Sequence, residues 1–93
     1  MGDFDTQLHQ CSRLYAETSE LIGRFHSSKN ATDLEQLNLA AVKRLSALRA
    51  ATGVLKETIG DNQQQNLKFE TMDKSVLELR GVLKKVNNFK LTY

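Results

Sequence analysis

The residues able to carry chemistry in this 93-residue chain are few and scattered. His9 and His26 are the only imidazoles and stand seventeen residues apart, nearly five helical turns, so they cannot share a ligand site on one helix. With a single cysteine, Cys11, and no HxxxH, CxxC or ExxH spacing, the chain offers no zinc-like ligand set, and no metal or cofactor is expected. Cys11 and His9 lie two positions apart, on different faces of a helix, so the imidazole is badly placed to draw a proton from the thiol. Cys11 is expected to be a small buried hydrophobe rather than a nucleophile.

Glu17, Glu20, Glu57, Glu70 and Glu78 fall mainly on outward faces of the helical pattern, where solvation or nearby basic residues account for them. Nothing drives two of them into a shared apolar pocket, the environment that shifts a carboxyl toward acid–base work. There is no glycine-rich phosphate loop. An enzyme is not expected.

Two short motifs have a physical meaning that the surrounding sequence weakens. Met1 to Thr6 matches the loose N-myristoylation pattern at Gly2, but Asp3 and Asp5 would be repelled by anionic lipid heads, and Phe4 already begins an apolar seam. Membrane contact is expected only if Gly2 is lipidated. Asn30-Ala31-Thr32 has the form of a glycosylation acceptor, yet the N-terminal residues lack the basic and apolar regions of a signal peptide. The lone cysteine agrees with a reducing compartment, and a cytoplasmic or nuclear location is expected. No apolar run reaches the ~18 residues of a transmembrane helix.

Charge excludes further classes. The net charge of +2 is small, and divides into −1 for residues 1–31, zero for 32–61 and +3 for 62–93. The basic third segment, with Lys84, Lys85 and Lys90, has Phe89 as the single aromatic among these lysines and no arginine-rich face, so nucleic-acid binding is the least favoured reading. Cations close to a helix C-terminus also offset its dipole.

What remains is the scaffold. Proline is absent, glycine is five, and aromatics are six per cent with no tryptophan, a composition suited to helices with an aliphatic core. The first segment has Phe4, Leu8, Cys11, Tyr15, Thr18, Ile22 and Phe25 at alternating steps of four and three, an unbroken heptad seam widened by Leu14 and Leu21. It ends at His26 to Asn30, where polar side chains compete for backbone hydrogen bonds. Thr32 and Glu35 then have the capping-box form, so the second helix is expected to begin near Asp33.

Leu34, Leu37, Ala41, Leu45, Leu48, Thr52, Leu55 and Ile59 form the second seam, with Val42 alongside. The step from Ala41 to Leu45 breaks the alternation, as a stutter would. Gly60 suits a helix end and Asp61 suits the next cap, which places a second turn there. Were the helix to continue through Gln63 to Gln65, a long helical hairpin would result instead. Phe69, Met72, Val76, Leu79, Leu83 and Val86 form the third seam, with Val82 and Phe89 widening it and Gly81 on the far face.

The expected fold is therefore all-α: one domain over residues 1–93, an antiparallel three-helix bundle or long helical hairpin with coiled-coil-like seams. The helices are expected at about residues 4–27, 33–60 and 62–90. The expected function is a non-catalytic interaction subunit of a larger complex, assembled through helices of other chains as a hetero- or homo-oligomer. A self-contained three-helix regulatory module of membrane traffic is the alternative. The residues expected to carry packing or interface contacts are Leu8, Tyr15, Ile22, Phe25, Leu45, Leu48, Leu55, Phe69, Met72, Val76, Leu79, Leu83 and Val86.

Overall fold

The structure, a computed structural model, describes residues 3–91. Among these residues there are three helices and no strand: α1 (Asp3–Ser27), α2 (Ala31–Glu57) and α3 (Gln63–Leu91). Each begins or ends within three residues of its expected boundary. Gly2, the lipidation candidate, lies outside the described residues.

The turns were the least specified part, and both caps differ from expectation. Asn30, in extended conformation at φ −90° and ψ 122°, is the N-cap of α2; its Oδ1 accepts from the backbone N–H groups of Thr32 (2.9 Å) and Asp33 (3.4 Å). Thr32 and Glu35 therefore do not form the capping box, because the helix starts two residues earlier and Asn30 already caps its free donors. Asn62 plays the same part for α3, accepting from Gln64 (2.9 Å) and Gln65 (3.3 Å), in place of Asp61.

Gly60 does not end α2 either. The helix stops at Glu57, where the Thr58 N–H and hydroxyl both donate to the Leu55 carbonyl, and no described residue has positive φ. The break across residues 58–62 settles the architecture as a three-helix bundle rather than a hairpin with one long arm.

Polar cross-links give the helix directions. Gln7 Nε2 donates to the Ala51 carbonyl at 3.1 Å and Arg44 Nη1 meets Glu17 Oε1 at 2.9 Å, so α1 and α2 run antiparallel. Asn87 bonds Asn38 between α3 and α2, and Lys90 Nζ donates to the Ser28 carbonyl at 3.1 Å, so α3 returns beside α1 and parallel to it. The bundle is a rod of 49 × 18 × 16 Å.

The three seams turn inward. Phe4, Cys11, Thr18, Ile22 and Phe25 of α1 meet Ala41, Leu45, Leu48, Ala51, Thr52 and Leu55 of α2 and Val76, Leu79, Leu83 and Val86 of α3 in one core. Leu8, Leu14, Tyr15, Leu21, Leu34, Leu37, Ile59, Phe69 and Met72 pack half-buried around it. The two core threonines lose no hydrogen bond on burial: Thr18 Oγ1 donates to the Leu14 carbonyl at 2.7 Å and Thr52 Oγ1 to the Leu48 carbonyl. Their methyl groups are then free to act as apolar packing.

α1 and α2 form the more intimate pair, and α3 lies against both to a lesser and nearly equal extent. Ala41, Ala51, Thr18 and Cys11 are small, and small side chains let backbones approach; the reach of Gln7 to the Ala51 carbonyl reflects this closeness. Ala51 is a core position beside the expected seam. Three expected flanking residues are corrected outward: Val42, Val82 and Phe89 are exposed at the edges of the bundle rather than enclosed in its core.

Candidate interaction surface

Among the described residues no three His, Cys, Asp or Glu side chains come together in a way that could hold a metal ion. His9 and His26 are both exposed. Cys11 is fully buried, and that burial pushes its thiol up in pKa, opposite to what an activated nucleophile requires. No helix among the described residues is long and apolar enough to cross a membrane.

The expected packing residues divide into two groups. Ile22, Phe25, Leu45, Leu48, Leu55, Val76, Leu79, Leu83 and Val86 are enclosed by the chain's own helices. Leu8, Tyr15, Phe69 and Met72 are half-buried and border the surface. Contact with another molecule must therefore draw on this second group together with apolar residues off the seams.

Those off-seam residues concentrate on α3. Of the seven large apolar side chains left exposed among the described residues, Leu67, Leu77, Val82 and Phe89 lie on α3, while Leu39, Val42 and Val54 lie on α2. α3 thus carries a wider apolar stripe than its two neighbours cover. Leu39 and Val54 stand fifteen residues apart on the outer face of α2 and make no common patch; single exposed apolar residues of this kind are ordinary.

Two grooves flank α3. The first, between α1 and α3, is lined by Leu8 and Ser12 on one wall and Leu67, Lys68, Thr71, Met72 and Ser75 on the other. It reopens further along at His26, Lys85, Val86 and Phe89. On the α1 side Ser12 lines this groove, and Ala16, Ser19 and Gly23 continue its row at spacings of four, three and four, all exposed, so this row of α1 presents small groups. Around Gly23 an added Cβ would meet nothing within 4 Å. A low rim beside an apolar wall is the shape a docking helix needs for close approach.

The second groove, between α2 and α3, is lined by Val42 and Leu45 opposite Arg80, Leu83, Lys84, Asn87 and Asn88. It is more polar and more basic than the first. The sequence reading missed Leu67 and Leu77, because both fall off the heptad seam and their positions do not say which groove each would border.

No protein-family model matches the chain, and neither a curated protein nor a solved structure matches it.

Proposed function

We propose that this chain is a non-catalytic helical interaction subunit, and that the groove between α1 and α3 receives a helix from another protein. The observation that carries the reading is the apolar wall of Leu8, Leu67 and Met72 beside Ser12, which begins a row of small residues that continues along α1 to Gly23. An incoming amphipathic helix would bury Leu67, now 60% exposed, and complete a four-helix arrangement. Each fully buried leucine-sized side chain contributes roughly 1.5–3 kcal/mol, so a few such contacts support specific association.

The test uses a photo-crosslinking residue in place of Ser12 or Ser75, with Leu39 as the comparison site. Crosslinks to a defined protein from Ser12 and Ser75 but not Leu39, abolished by Leu67→Asp in a chain of unchanged helicity, support the reading. A chain that crosslinks equally from all three sites, or from none, overturns it.

The alternative, a self-contained regulatory module in membrane traffic, has one observation in its favour: the core closes within a single chain, with Phe25, Leu48 and Leu55 fully buried. It shares the groove and differs in requiring a stable monomer. Cooperative unfolding that is independent of protein concentration favours the module; folding that depends on concentration or on a partner favours the subunit.

A further inference from the structure

We infer that the second groove, between α2 and α3, binds an acidic amphipathic helix through two matched clamps, each made of one apolar side chain and one cation. On α2, Val42, Ser46, Arg49 and Gly53 share a face at spacings of four, three and four; on α3, Leu77, Gly81, Lys84 and Asn88 repeat that pattern. All eight are exposed. Counted in antiparallel register from the Asn38–Asn87 bond, Val42 is the position opposite Lys84, and one heptad on Arg49 is the position opposite Leu77. Val42 and Lys84 do line the same groove.

The two clamps are thus related by an approximate twofold axis across the groove. One heptad separates them, about 10.5 Å at 1.5 Å per residue. Arg80, one turn from both Leu77 and Lys84, adds a third cation between them.

Charge identifies the occupant. Among the described residues the ion pairs are Arg24 with Glu20 and Arg44 with Glu17, so Arg49, Arg80 and Lys84 have no carboxylate partner. Acids on this face stand at its ends, Glu35 at one and Glu57, Glu70 and Asp73 at the other, outside the stretch between the two clamps. An incoming helix with glutamates one heptad apart and leucines between them would set its carboxylates on Arg49 and Lys84 while covering Val42 and Leu77. Arginine further favours carboxylates through its paired donors. The inference rests on the reading of the chain as a helix-binding protein, but not on the α1/α3 groove.

The test titrates the whole chain with a fluorescent helical peptide of about six turns, patterned with leucine and glutamate in heptads, and with its lysine-for-glutamate counterpart. Binding of the acidic peptide alone, weakening with added salt and on the order of tenfold or more with R49E/K84E at unchanged helicity, is the expected result. Leu77→Asp should weaken it as well, and Leu67→Asp, in the other groove, should leave it unchanged. Equal binding of both peptides, loss on Leu67→Asp, no binding of the acidic peptide, or tighter binding of a single-stranded oligonucleotide at the same cations would each overturn the assignment. Because Leu67→Asp reads the first groove and R49E/K84E the second, failure here is distinguishable from failure of the proposed function.

Discussion

Asn87 donates a 2.7 Å hydrogen bond from Nδ2 to Oδ1 of Asn38, joining α3 to α2 at a partly buried position one turn from Val42 and Leu83. It is a directional contact at the edge of a leucine-rich interface, and Leu–Leu packing tolerates slippage that an amide pair does not. The pair therefore helps set the register in which α3 lies on α2, and with it the opposition of Val42 and Lys84. A double-mutant cycle with Asn38→Ala and Asn87→Ala, read by urea unfolding, should give a coupling of roughly 0.5–1.5 kcal/mol. A coupling near zero would mean that the amides merely share the solvent-facing edge.

The caps give a sharper contrast. Asn30→Ala and Asn62→Ala should each lower unfolding free energy by roughly 1 kcal/mol, while Thr32→Ala and Asp61→Ala, which supply no cap, should cost about 0.5 kcal/mol or less. Chemical denaturation of the four variants distinguishes the observed caps from those the motifs suggest.

In the core, Leu48→Ala leaves a cavity at a fully buried position and should cost about 2–5 kcal/mol, against about 0.5 kcal/mol or less for Leu39→Ala on the outer face of the same helix. Leu79→Asp and Leu83→Asp place a charge inside the bundle and should abolish cooperative folding, whereas Lys84→Ala should leave stability nearly unchanged. Thermal unfolding followed by circular dichroism reads all of these.

Gly81 is an exposed helical position where an added methyl meets nothing within 4 Å. Gly81→Ala should therefore raise stability by roughly 0.5–1 kcal/mol, since alanine favours the helix and encounters no neighbour. An unchanged or lowered denaturation midpoint would count against a continuous α3.

Cys11 links stability to pH. Burial raises the folded thiol above its ordinary value of 9.0, so the unfolded chain releases this proton first as pH climbs. The stability contributed by the protonated thiol is complete below pH 9 and is lost as pH rises from there through the folded value. The measurement is the difference between wild type and Cys11→Ala, which isolates the thiol: the wild type should lose stability more steeply above pH 9. Parallel pH profiles would show that the thiol has access to water.

The helical class and the inward faces were legible because heptad spacing acts through the geometry of a single helix. Phe4 to Phe25 could be read as a stripe without knowing what it faced. The caps were less legible for a chemical reason: Asn30 and Thr32 are both good N-cap residues, and so are Asp61 and Asn62, so sequence leaves two adjacent solutions of similar energy. The fate of Val42, Val82 and Phe89 was not legible, because a stripe's width says how much surface could be covered and not how many neighbours will cover it. Ala51 illustrates the converse, a small residue beside the seam that becomes core only where two backbones approach closely.

By itself the sequence determined that the chain forms rods, roughly where they stop, and which face of each is greasy, since all three follow from local spacing and propensity. Tertiary structure alone decided that α1 and α2 pair more closely than either pairs with α3, and so which apolar residues stay wet. It also set Val42 and Lys84, 42 residues apart in the chain, along the same groove. No local rule encodes such a juxtaposition, because it depends on the register between helices, which is set by how side chains from separate segments interlock.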